Sequence, residues 1–420
     1  MIALLPLAAV LACAGVRAAL PKANPEALGL SGEGLARITP ALQAYVDSGK
    51  VSGIYAVIVR DGRIGYERTF GWRNVERREP MKRDAVFRIF SMTKPVVAAG
   101  ALRLVDQGRI SLDDPVAKYI PSFAHVQVYA GGSADAPQVR PADSAMTIRH
   151  LLTHTSGLGY ALTTHPADSI FARARVYNPA LTLEQFTDSV ARLPLLFSPG
   201  THWSYSSGID IVGRVIEVVS GKTLDRFLDD ELFQPLGMAS TAFRHRSDLD
   251  RRLAVLYARN DDGTLRVVTG GLMDMYARDA RFLWGSGGLL SSPDDFLRFA
   301  QMLLNGGELN GVRVLSAQSV AEMTRNQLTP ERVAEAREAM LGEGYGFGLA
   351  GSVLVDTMAS MPGAPGIYRW SGYVGTYFWI DPRNRLLAMV WTQHNPGREY
   401  PLEHDFQRLV YGALLPHVTN

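Results

Sequence analysis

From Val96 to Val105 the chain is apolar on nearly every face a helix can present: Val96, Val97, Ala98, Ala99, Ala101, Leu102, Leu104 and Val105 are broken only by Gly100 and Arg103. A helix that is hydrophobic all round is buried, so the rest of the chain has to enclose it. Pro95 falls in its first turn, where a missing N–H costs nothing, and Gly108 supplies a stop. Immediately before it stands Ser91-Met92-Thr93-Lys94. Three positions apart on a helix, a serine and a lysine project from one face. A lysine held neutral there can take the serine's proton, which points to acyl transfer through a covalent serine ester. Taken alone, the pair also reads as a helix-capping serine beside a lysine that snorkels to water.

The wider composition sharpens the first reading. Lysine occurs at only six positions in 420 residues, so one inside an apolar helix stands out. To act as a base near neutrality it must lose about 3–4 pKa units, which burial can supply. A net charge of +2 gives no basic field for nucleic acid, and 47% hydrophobic residues suit a substantial core. Cys13 is the sole cysteine, so no intrachain disulfide can form. It lies in an apolar run, Ile2 to Val16, that is shorter than the roughly 20 residues of a membrane span. With Ala18 and Ala19 following, residues 1–19 read as an export signal. Val10-Leu11-Ala12-Cys13 also allows lipid anchoring at Cys13, and the absence of Lys or Arg ahead of the run keeps a cytoplasmic location open. The expected location is periplasmic or secreted.

Strand patterns lie towards both ends. Gly53 to Arg60 and Arg63 to Gly71 flank Asp61-Gly62, a hairpin signal. Tyr345–Val355, Tyr368–Ser371, Gly375–Ile380 and Leu386–Thr392 read as a meander. Helical patterns precede the first hairpin (Gly34 to Val46, with Pro40 as a kink or restart), fill the middle from Thr147 to about Phe233, and close the chain after Leu402. Residues 126–145, rich in Gly, Ala, Ser and Pro, read as a surface loop. The expected fold is therefore α+β: one antiparallel sheet built from both chain ends and flanked by helices, plus a mainly helical lobe. The expected division is 20–98 with 275–420 as the sheet domain and 99–274 as the helical domain.

Other residues could complete a serine-lysine site. Tyr205, at a helix start, could share a proton with Lys94. Trp370-Ser371-Gly372 on a strand, followed by Gly375, could bring backbone N–H groups close to a substrate. His150 and His154 are four apart but lack the glutamate of His-Glu-x-x-His, and turn or packing roles suit them better than a metal. Gly221-Lys222-Thr223 lacks the upstream glycine of a phosphate loop, and no Gly-x-Ser-x-Gly occurs.

In order along the chain, Phe87-Arg88-Ile89-Phe90-Ser91-Met92-Thr93-Lys94-Pro95, Leu151-Leu152-Thr153-His154-Thr155-Ser156-Gly157-Leu158, Leu236-Gly237-Met238, Gly285-Ser286-Gly287-Gly288-Leu289 and Tyr345-Gly346-Phe347-Gly348-Leu349 resemble landmarks of the serine β-lactamase and penicillin-binding superfamily. The resemblance covers roughly residues 25–415 and is strongest to class C β-lactamases and family VIII carboxylesterases. It implies a β-lactamase/transpeptidase-like fold, Ser91 as nucleophile, Lys94 as base and Tyr205 as catalytic tyrosine. It also implies an oxyanion hole from the backbone N–H groups of Ser91 and Tyr373. Trp370, Ser371, Gly372 and Ser207 would contact substrate, with no metal and no organic cofactor. Two departures set the subgroup: Ser207 stands where β-lactamases of this type carry Asn, and Trp370 where they carry Lys. The lost cation argues against efficient penicillin turnover and for an uncharged ester with a short acyl group, the family VIII pattern. The expected partner is a small ester, with a β-lactam as the alternative, and no nucleic acid or transmembrane span. A β-lactamase or D-alanyl peptidase, an acyltransferase and a non-catalytic binding protein remain the competing functions, and the oligomeric state is open.

Overall fold

The computed structural model describes residues 19–358 and 361–415; the expected export signal and Cys13 fall outside them, except for Ala19. The central sheet has eight antiparallel strands. In chain order these are Gly53–Arg60 (β1), Arg63–Asn74 (β2), Glu79–Pro80 (β3), Tyr345–Phe347 (β4), Ser352–Leu354 (β5), Tyr368–Gly372 (β6), Thr376–Asp381 (β7) and Leu386–Trp391 (β8). Their spatial order is β4-β5-β6-β7-β8-β1-β2-β3. The join between the two chain ends is the β1–β8 pair, with Tyr55 opposite Trp391 and Arg60 opposite Leu386. Both strands are buried along their whole length, because the sheet is covered on both faces.

Five helices matter for the site: Gly32–Asp47 (α1), Thr93–Asp106 (α2), Gly208–Ser220 (α3), Pro293–Leu304 (α4) and Leu402–Gly412 (α5). The period of two in β7 decides which helix covers which face. Phe378 stacks on Phe296 of α4 at 4.9 Å, whereas its neighbour Trp379 meets Phe406 of α5 at 5.8 Å. Helix α1 runs beside α5, and a Cβ on Gly34 would lie 2.6 Å from the Ala413 Cα. Pro40 leaves α1 continuous. Helix α2 has only Val105, Arg103 and Asp106 outside the fully buried set. Gly100 of α2 lies where a Cβ would meet Leu228 and Ile216, so α2 packs closely on the helical region.

Two expectations are corrected. Residues 126–145 are not a structureless loop: Gln127–Gly132 pairs with Pro137–Pro141 around a Ser133 turn. The Gly and Pro content concealed this pairing, and proline is tolerated at such ladder ends. The stretch Tyr345–Val355 is not one strand but β4 and β5, folded back on each other through Gly348 and Gly351, with Ala350 at φ 59°. Among the described residues, no helix is long and apolar enough to cross a membrane.

Candidate active site

Ser91 sits in a short 3-10 turn, Phe90–Met92, that leads directly into α2. Its predecessor Phe90 has φ 43°, a left-handed conformation that a bulky aromatic residue adopts only under constraint. The constraint is aromatic: the Phe90 ring is held by Tyr276 at 5.3 Å, Trp284 at 5.8 Å and Tyr373 at 5.9 Å. Backbone pairing of Ile89 with Leu289, and of Phe87 and Arg88 with Ser291 and Leu290, fixes the approach.

Lys94 is fully buried, and its Nζ lies 3.2 Å from Ser91 Oγ. The same nitrogen donates to the Ser286 carbonyl at 2.7 Å and approaches the Tyr160 hydroxyl at 3.5 Å. Burial lowers the Lys94 pKa to about 7, against an opposing pull from the Asp210 carboxylate. Asp210 itself accepts from the Ser286 N–H at 2.8 Å, the Ser286 hydroxyl at 2.7 Å and the Tyr177 hydroxyl at 2.7 Å.

Tyr205 presents its ring to Lys94, 4.7 Å from Nζ to the centroid. Burial raises its pKa, with Ser91 and Trp370 pulling the other way, so the phenol is neutral at neutral pH. The segment carrying it is anchored by His154, whose carbonyl accepts from the Ser204 N–H at 3.0 Å. The His154 Nδ1 accepts from the Ser206 N–H at 3.2 Å, which places the imidazole proton on Nε2. Burial, then the nearby Lys94, holds this imidazole well below its usual range. His150 caps a helix start, accepting from the Thr147 N–H, and neither histidine belongs to a metal-binding group among the described residues.

Strand β6 closes the other side. Trp370 is 6% exposed and packs on Tyr205 at 5.7 Å and Phe347 at 5.3 Å. Ser371 accepts from Arg398 at 3.3 Å. Gly372 presses on the turn that carries Ser91: a Cβ there would stand 2.4 Å from the Ile89 carbonyl oxygen and 2.2 Å from Thr376 Oγ1. Tyr373, next along, is 55% exposed over Phe90. As the period of two requires, Arg369 points away from Trp370, pairing with Glu403 and lying over the Tyr345 ring. A cleft of about 470 Å³ lies against Arg369, Ser371, Arg398 and Glu403, and Ser91 does not line it.

Ser207 was expected to contact substrate. The residue is sealed from solvent with its hydroxyl unpartnered, because it stands at the inward-facing start of α3. Tyr160, Asp210, Tyr177 and Ser286 were not anticipated as site residues. Tyr160 belongs to a loop held by Asp168, which accepts four successive backbone N–H groups from Tyr160 to Thr163 at 2.6–2.8 Å. The one sequence signal for Asp210 was a lone carboxylate among Ile209, Ile211 and Val212.

A serine, a buried lysine and a neutral tyrosine clustered at a helix start are groups that can supply a nucleophile, a proton acceptor and a relay. The chain is 34% identical to Protein Rv1367c of Mycobacterium tuberculosis over 366 residues, covering 85% of this chain and 89% of that one. It is 32% identical over 410 residues to Esterase EstB of Burkholderia gladioli, covering 92% and 98%. Among solved structures it resembles EstCE1, described as a hydrolase with promiscuous acyltransferase activity, with TM-score 0.78, 27% identity, and 90% and 99% coverage. The Beta-lactamase family model matches residues 38–412, and the chain therefore belongs to the beta-lactamase family of serine hydrolases.

Proposed function

We propose that the protein hydrolyses short-chain carboxylic esters through an acyl-Ser91 intermediate. The observation that carries this reading is the 3.2 Å contact between Ser91 Oγ and a lysine whose pKa stands at about 7. At neutral pH a large fraction of Lys94 is uncharged while Tyr205 keeps its proton, so Lys94 is the first acceptor. The Ser91 proton passes to Lys94 Nζ as Oγ bonds to the ester carbonyl carbon. The developing oxyanion is met by the backbone N–H groups of Ser91 and Tyr373. Collapse breaks the bond to the alcohol oxygen, which leaves with a proton delivered from Lys94 through Tyr205. A water molecule then gives one proton back to the pair and attacks the acyl carbon, releasing the acid and restoring Ser91.

Trp370 supports an uncharged, short acyl group, because an indole wall replaces a cation on β6 and Arg369 faces Glu403 instead. That substitution weighs against β-lactam turnover. Acyl transfer to an added alcohol is the second reading, supported by the likeness to EstCE1. Hydrolysis of p-nitrophenyl butyrate and of nitrocefin by wild type and Ser91→Ala tests the proposal. Ester turnover well above nitrocefin turnover, abolished in Ser91→Ala, is expected. Turnover that survives Ser91→Ala, or nitrocefin dominance, overturns it.

A further inference from the structure

Lys94 has to be both uncharged and immobile, and burial supplies only the first. Its fixed contact is the Ser286 carbonyl, on a glycine-flanked segment with no regular secondary structure, Gly285-Ser286-Gly287-Gly288. Its own turn bonds, from the Gly287 and Gly288 N–H groups to the Trp284 carbonyl, leave the Ser286 N–H and hydroxyl to be held from elsewhere. The structure holds Ser286 from a third element: Asp210, on α3, accepts from both its N–H and its hydroxyl, and takes a third hydrogen bond from Tyr177. All three donors are directed at one completely buried carboxylate. A buried carboxylate costs folding energy unless it is fully hydrogen-bonded, and a mere packing role would be met by an apolar residue.

We infer that Asp210 is a positioning residue that fixes Lys94 through Ser286 and places a buried negative charge within its field. The inference rests on the acyl-serine reading above. The geometry gives the carboxylate two separable effects. Its hydrogen bonds locate the Ser286 carbonyl that orients Nζ. Its charge supports the protonated lysine and so opposes the depression caused by burial. The other titratable groups facing the pair are Tyr160, Tyr177, Tyr205 and His154. Burial holds the three phenols protonated and the imidazole neutral around neutral pH. Arg398 acts on Tyr205 from the rim. Burial depresses Lys94 and also raises the Asp210 carboxyl, and Asp210 is the neighbouring charge that opposes the depression of Lys94.

Asp210→Asn separates the two effects, since the amide can accept from the Ser286 N–H and donate to a hydroxyl, keeping the geometry while removing the charge. The pH profile of kcat/KM on p-nitrophenyl butyrate is compared between wild type and Asp210→Asn. The acid limb is expected to move to lower pH by roughly one unit, the scale of a nearby opposite charge. The Ser286 hydroxyl is the first of the groups that hold the Asp210 carboxyl down against burial, so Ser286→Ala, which keeps the carbonyl, weakens the negative charge and is expected to move the limb the same way by less. A structural role alone would lower stability and kcat without moving the limb. An unmoved limb in whichever variant folds, with Ser91→Ala inactive, overturns the assignment of Asp210 alone. Activity surviving in Ser91→Ala overturns the acyl-serine reading instead.

Discussion

The imidazole of His154 lies 4.5 Å from the ring of Tyr205, centroid to centroid, tilted by 59°. The contact is a brace: the same histidine holds the backbone on either side of that tyrosine, at Ser204 and Ser206. His154→Ala leaves the buried Ser206 N–H without its acceptor and opens a cavity against Tyr205 and Phe347. The expected loss is about 2–4 kcal/mol of stability. A fall in kcat of at least tenfold with little change in KM is expected alongside it. Denaturant melts and steady-state kinetics on the same preparation check both.

Lys94 carries a cost that the fold bears for activity. Its folded pKa of about 7 lies below its unfolded value of about 10.4, so the unfolded chain binds more protons between the two. Stability therefore rises as pH climbs from about 7 towards 10.4, and the full penalty is present below 7. Lys94→Met fills the same space without a charge. It is expected to abolish ester turnover and to raise stability near pH 7 by up to about 4–5 kcal/mol, at about 1.36 kcal/mol per unit. The gain should shrink towards pH 10. Denaturant melts of both proteins from pH 6 to 10 measure it; a variant less stable than wild type at pH 7 refutes the account.

On the proposed mechanism the acid limb of wild-type kcat/KM should have its midpoint near 7, because Lys94 must be uncharged to accept the Ser91 proton. The sign follows from the base role: activity falls as pH drops through that value. A limb centred near 5 would assign the essential base to another group.

Gly372→Ala tests the closeness of β6 to the nucleophile turn. The added methyl meets two oxygens, one of them the Ile89 backbone carbonyl, which cannot move without shifting Ser91. A displacement of about 1 Å at such a site costs on the order of 100-fold in rate. The expected result is that loss in kcat with a far-ultraviolet spectrum like the wild type's.

Asp168 ties down the loop that brings Tyr160 to Lys94. Burial alone would raise its pKa, but four backbone N–H groups and a hydroxyl hold it below the usual carboxylate value. Its folded pKa is depressed, so its contribution is present above about pH 4 and is lost as pH falls further. Asp168→Asn should weaken protection of amides 160–163 from hydrogen exchange at pH 7, and the difference from wild type should narrow at pH 3.

Much of this was legible in the chain because it depends on local pattern. The apolar run after Lys94 forces burial of α2, and burial is what shifts the lysine. Alternation around Trp370 correctly sends Arg369 to the other face. What the sequence left hidden depends on contacts between distant segments. Asp210 matters because Ser286, 76 residues away, donates to it twice. Tyr160 matters because Asp168 folds its loop inward. Phe90 announces no left-handed backbone, since that conformation is imposed by Tyr276, Trp284 and Tyr373 around it. Spacing along one helix cannot reveal such partners.

The pairing of β1 with β8 has a consequence in time. Arg60 meets Leu386 across more than three hundred residues of chain, and Gly372 reaches the nucleophile turn from the same late segment. Ser91, Lys94 and Tyr205 all leave the ribosome before the strand that must close over them. Contacts this distant along the chain form late in folding. On the proposed mechanism, a nascent chain therefore carries Ser91 without the Tyr373 N–H that would complete its oxyanion hole, and turnover begins only when the sheet closes.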